Sequence, residues 1–231
     1  MALTGEPAIE EAGTARARAE AAPDARPEQA GASVAPPSSY RMITPTDWFR
    51  IPLRSAAQRE KSVQALVDLT YASRDEFAVK RRELRELLTS ITDKAVEQLG
   101  IELYLSTQGV FGVPIPASLL VTAEPEDPAV RAVLPVEMLA DGLRNKHGEN
   151  ADVRVVRLTC GPAVRCRRRE LSQDSKDLGQ PEDRPSTLLD FYLPVPHSGA
   201  WLVLSFSTPL PELADAQVEM FDAVADSFLW A

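Results

Sequence analysis

The 231-residue chain carries a formal net charge of −9, and hydrophobic residues make up 44% of it, enough for one sizeable core in a single domain. That acidic balance argues against a general nucleic-acid binder, which needs positive charge spread over a broad face. There is no apolar run of about eighteen residues and no leader-like apolar segment in Met1–Ala22, so no membrane span is expected and the expected location is the cytoplasm.

Residues 1–40 are Ala, Glu, Pro, Arg and Ser with almost no large apolar side chains, so nothing there offsets the entropy of ordering. They predict a disordered Ala/Pro-rich tail ahead of a single α+β domain over 41–231. The domain opens at ITPTDWFRIPL, where Trp48, Ile51 and Leu53 bring bulk and Pro52 marks a strand end or sheet edge. Val63, Leu66, Val67 and Thr70 then recur at helical spacing. A longer helical series follows in Phe77, Leu84, Leu87, Leu88, Ile91, Ala95 and Leu99, with Ser73 placed to cap its start and Gly100 to stop it.

The period then falls to two. IELYLST (101–107) and PASLLVTAE (116–124) read as strands, Pro135–Lys146 as a helix, and VRVVRLT (153–159) and AVRCRRREL (163–171) as two further strands. Residues 172–186 are polar and rich in Gly, Pro and charge, predicting a mobile loop. Two more strands, LLDFYLPVP and AWLVLSFST, flank the turn His197-Ser198-Gly199. A closing helix from Pro211 carries the stripe Leu213, Ala216, Met220, Phe221, Val224 and Phe228. Short turns make neighbouring strands antiparallel, so the expected architecture is an α+β sandwich: six or seven mostly antiparallel strands with helices on one or both faces.

Catalytic signatures are missing from the sequence. His147 and His197 fall in predicted turns with no partner at metal-ligand spacing, and no nucleophile elbow, zinc motif or phosphate loop is present. No catalytic residue, metal or cofactor is therefore assigned. Cys160 and Cys166 read as free thiols; the arginines beside Cys160 would favour its thiolate, but a small cysteine at a strand end reads first as core filler.

The feature that stands out is positive charge gathered in an acidic chain: Arg154, Arg157, Arg165, Arg167, Arg168 and Arg169 all fall within residues 154–170. Gly161-Pro162 fits a two-residue type II′ turn, setting Arg154 opposite Arg169 and Val155 opposite Arg168. One face then carries Val153, Val155, Val164 and Cys166, and the other Arg154, Arg165, Arg167 and Arg169. Like charges across a sheet repel, so carboxylates must answer them. Glu170, Asp190 or the 172–186 loop would supply these from within. An acidic segment of a protein partner or an anionic ligand would supply them from outside, making Arg154, Arg165, Arg167 and Arg169 the candidate partner-binding residues.

The C-terminal FYLPVPHSGAWLVLSFSTPLPELADAQVEMFDAVADSFLW is a strand, tight turn, strand and closing helix. Together with the early WFRIPL strand, it resembles the PsbP-like α/β/α sandwiches, a group that includes Ran-binding Mog-type proteins and bacterial secretion-effector chaperones. Within that group the chain looks similar to uncharacterised actinobacterial proteins associated with type VII secretion and polymorphic-toxin clusters. The likeness spans residues 42–231 and implies a non-catalytic binding protein, with no catalytic residues to carry over. Three functional readings follow: an adaptor or chaperone holding a protein partner on its sheet or arginine stripe, a small enzyme or small-molecule binder, and an immunity-type inhibitor whose acidity suits a basic toxin.

Overall fold

The computed structural model describes residues 35–107, 109–110, 113–125, 134–171 and 185–231. The predicted tail up to residue 34, and the predicted loop apart from its last two residues, lie outside them. Ser39 exchanges backbone hydrogen bonds with Ala231 (2.9 and 3.3 Å), and β1 (Tyr40–Arg41) pairs with β11 (Leu229–Trp230). Tyr40 stacks on Phe228 with ring centroids 5.0 Å apart. Ser39 and Tyr40 thus belong to the domain, one large ring being enough to fasten a stretch otherwise poor in apolar side chains.

In chain order there follow β2 (Trp48–Pro52), α1 (Ala56–Thr70), α2 (Ala78–Glu97), β3 (Gly100–Ser106), the short β4 (Gly109–Val110) and β5 (Val113–Pro114), and β6 (Ser118–Glu124). Then come α3 (Val136–His147), β7 (Ala151–Leu158), β8 (Gly161–Glu170), β9 (Ser186–Pro194), β10 (Trp201–Thr208) and α4 (Ala214–Asp226). The main sheet has seven antiparallel strands in the order β2-β3-β6-β10-β9-β8-β7, with Pro52 on an edge strand as a missing backbone donor requires.

Register shows which side chains share a face. The row Ile51, Leu103, Leu120, Ser205, Asp190, Cys166, Val153 crosses all seven strands on one side. At one end of that face α1 and α2 pack through Val63, Leu66, Val67, Leu88 and Ala95, and at the other α3 packs through Val136, Ala140 and Leu143. On the reverse face runs the row Pro52, Glu102, Val121, Leu204, Phe191, Arg165, Arg154. Helix α4 covers it, with Phe221 stacked on Phe206 at 4.8 Å and edge-on to Trp48 at 6.1 Å.

Several local expectations are corrected. Ser73 does not cap α2: a 3₁₀ turn (Asp75–Phe77) intervenes, Phe77 stacks on Tyr71, and the residue that does cap a helix is Ser55, whose hydroxyl accepts from the Gln58 N–H at 3.4 Å. The left-handed residue after α2 is Leu99 (φ 62°), not Gly100. Gly100 is needed for space, since a Cβ there would lie 2.4 Å from the Ala95 carbonyl oxygen. Leu87 and Leu99 are exposed, because α2 needs only a narrow stripe to meet α1 and β3. In the closing helix Leu213 and Ala216 face outward; the buried set is Ala214, Val218, Phe221, Val224 and Ala225, and Phe228 is buried just past the helix end.

Candidate functional site

The β7–β8 hairpin turns at Thr159-Cys160, with Gly161 at φ 130° as the first residue of β8, so Leu158 pairs with Gly161 and Arg154 with Arg165. The expected Gly161-Pro162 turn is therefore displaced by two residues. This shifts the pairing by four, an even number, so every side chain keeps its predicted face. Arg154, Arg165, Arg167 and Arg169 do share one side, the side covered by α4.

That helix supplies most of the carboxylates. Asp215, Asp222 and Asp226 are spaced by seven and four residues and line one helical face. Arg165, its side chain 13% exposed, donates from Nε and Nη2 to the two oxygens of Asp222 at 2.7 and 3.0 Å, a forked pair that fixes orientation. Arg167 donates to Asp215 at 2.6 Å, and the Thr159 N–H donates to Asp226 at 3.1 Å, tying the hairpin tip to the end of α4. Asp152 on β7 bonds Arg154 at 2.8 Å and lies 3.8 Å from Arg165.

The proposed internal partners Asp190 and Glu170 serve Arg168 on the opposite face. Arg168 pairs with the buried Asp190 and donates to Glu170 at 3.2 Å. Burial alone would lower the Arg168 pKa, but the adjoining Asp190 carboxylate outweighs it and holds the guanidinium above its ordinary value. Arg157 and Arg169 are exposed and have no ion pair among the described residues.

The hairpin also forms a sheet edge. β7 pairs only with β8 among the described residues, and its register runs unbroken over eight residues. Arg144 of α3 donates to the Val153 carbonyl at 3.2 and 3.3 Å, so the outward-pointing backbone groups are those of Val153, Val155 and Arg157. Val155 is 39% exposed.

The remaining sequence candidates stay apart. His147 ends α3, and His197 sits in the β9–β10 turn at φ 59°; no group of three His, Cys, Asp or Glu among the described residues is placed to hold a metal. Cys160 packs with the α4-side core and Cys166 with the α3-side core. Burial, reinforced by the nearby Asp226 carboxylate, pushes the Cys160 thiol up and away from the thiolate. No helix among the described residues is long and apolar enough to cross a membrane.

No family model matches the chain, and no curated protein matches it. Solved structures similar to it include the following two. LpqN, described as involved in cell envelope biogenesis of Mycobacterium tuberculosis, is 13% identical over 87% of this chain and 86% of that one, with a TM-score of 0.43. The cyanobacterial PsbP (CyanoP) of a Synechocystis strain is 11% identical over 83% and 86%, with a TM-score of 0.40.

Proposed function

We propose that this chain is a non-catalytic cytoplasmic binding protein, an adaptor or chaperone, that holds an extended acidic segment of a protein partner along the β7 edge. The observation that carries this reading is an unbroken eight-residue edge strand flanked by arginines that are not locked in buried pairs. Strand addition satisfies the outward backbone groups of Val155 and Arg157, the Val153 carbonyl being already held by Arg144, and alternate side chains of the partner reach the two faces. Carboxylates on it would meet Arg154 and Arg169 on the α4 side and Arg157 on the other.

Arg165 and Arg167 have a different task in this scheme: bound to Asp222 and Asp215, they hold the hairpin against α4. Arg154 is 67% exposed and its partner Asp152 42% exposed. An exposed pair of that kind is worth at most about 1 kcal/mol, so a partner's carboxylate can replace Asp152 at little cost. A second copy of the chain fits this edge poorly, because it would bring Arg154 and Arg157 of both strands together with Asp152 as the one carboxylate on each. The two cysteines, free and on opposite faces of the sheet, accord with a reducing compartment.

Two variants separate the roles. Arg154→Gln/Arg157→Gln/Arg169→Gln should keep the thermal midpoint and lose a partner captured by a photo-crosslinker at position 155. Arg165→Gln/Arg167→Gln should instead lose stability. Capture that survives the first variant undiminished would refute the reading.

A further inference from the structure

At the far end of the same sheet face lies a cavity of about 440 Å³, within the range of small-molecule sites. It is bounded by the sheet on one side and by the β1–β11 ribbon on the other. A β-bulge in β3, between Gly100 and Glu102, builds its floor: the irregularity turns the consecutive side chains of Ile101 and Glu102 to the same cavity. Leu202 and Trp230 complete an apolar wall.

The polar side of the cavity is fixed in place. Glu102, with its side chain 13% exposed, accepts from the hydroxyls of Tyr40 and Tyr104, each at 2.7 Å, and from Arg50. Burial by itself would raise the Glu102 carboxyl, but these three donors together hold it below its ordinary value, so it stays ionised. Burial, and then the same carboxylate, push both tyrosine hydroxyls up and keep them protonated as donors. Glu102 thereby takes three of the roughly four bonds a carboxylate can accept, and Arg50 is anchored through one nitrogen while its side chain remains 59% exposed.

Beside it, Arg54 lines the cavity, is exposed, and has no ion pair among the described residues. Helix α1 begins two residues later, with no acidic side chain in its first turn and with Gln58 on the cavity wall. The positive end of a fifteen-residue helix therefore adds to Arg54 uncompensated. Two arginines against one carboxylate leave the mouth with one net positive charge, in a protein whose overall charge is −9.

We propose that this cavity binds a small amphipathic monocarboxylate, its anion held between Arg54 and Arg50 and its apolar body laid against Ile101, Leu202 and Trp230. One surplus positive charge matches a single carboxylate better than a phosphomonoester of charge near −2. The apolar wall gives a hydrocarbon or aromatic tail a place out of water.

Calorimetric titration of the full chain with decanoate, and with decanol as its neutral counterpart, tests this. Saturable decanoate binding is expected, at least about tenfold tighter than decanol, since charge-assisted bonds to arginine supply the difference. Arg54→Gln, on an exposed side chain, should weaken decanoate about tenfold or more, leave decanol unchanged and keep the melting curve intact. Arg50→Lys should weaken decanoate as well, because a lysine cannot serve Glu102 and the ligand together. The proposal fails if decanoate shows no saturable binding, if decanol binds equally well, or if Arg54→Gln leaves decanoate affinity unaltered.

Discussion

Replacing Asp222 by Asn removes the charge from the fork that ties Arg165 to α4 while keeping size and one acceptor oxygen. Arg165 is 13% exposed and Asp222 41% exposed, so the pair lies between the surface limit of about 0–1 kcal/mol and the buried limit of about 3–5 kcal/mol for a broken pair. Asp152, at 3.8 Å, compensates only in part. A bond to a charged group is worth about 1.5–3 kcal/mol, and the acceptor that Asn retains places the cost near the lower bound, about 1.5 kcal/mol. For a domain of this size each kcal/mol moves the midpoint by about 2–4 °C, so a fall of about 3–6 °C is expected by calorimetry. A double-mutant cycle with Arg165→Met isolates the pair and should return a coupling of about 1 kcal/mol or more. A midpoint within about 1 °C of the parent, together with a coupling below about 0.3 kcal/mol, would show that α4 does not hold the hairpin through this fork.

Other substitutions probe the rest of the fold. Phe221→Ala, at a fully buried ring packed on Phe206 and Trp48, should cost about 3–5 kcal/mol in denaturant unfolding; less than about 1 kcal/mol would put Phe221 outside the core. Leu99→Gly should raise stability by about 1 kcal/mol by relieving a left-handed backbone, whereas Gly100→Ala should lower it by about 1–3 kcal/mol through collision with the Ala95 carbonyl. Tyr40→Phe keeps the ring on Phe228 and removes the bond to the Glu102 carboxylate, at a cost of about 1.5–3 kcal/mol. Because the Glu102 carboxyl is held below its ordinary value in the folded chain, its contribution is full above about pH 4.3 and fades as pH falls through the folded value. Glu102→Gln should therefore flatten the acid limb of the stability profile, as followed by urea midpoints across pH.

Reading from sequence succeeded where period and bulk dominate. The strand pair 188–196 and 200–208, the helix after Pro135 and the burial of Phe221 all follow from alternation or helical spacing against one apolar face. It failed where a long-range partner decides. Gly-Pro chemistry predicts the hairpin turn at Gly161-Pro162, yet the structure turns at Thr159-Cys160, where Asp226 accepts from the Thr159 N–H. Arg165 and Arg167 are answered by carboxylates of α4, about fifty residues away in sequence, rather than by Glu170 or Asp190. The spacing Asp215, Asp222, Asp226 was visible on that helix and gains meaning only once α4 lies across the hairpin. The Glu102 cluster had no local signal at all, because Arg50, Glu102, Tyr104 and Tyr40 converge from three strands through a bulge and a ribbon of chain ends.

The partner-binding edge is tested most directly by amide hydrogen exchange at Val155 and Arg157, measured in the isolated chain and after adding the partner captured through position 155. Strand addition predicts fast exchange at these two outward-facing amides in the isolated chain and marked slowing in the complex, with Arg154 and Val156, already turned toward β8, little changed. Equal exchange at Val155 and Arg157 in both states would contradict it.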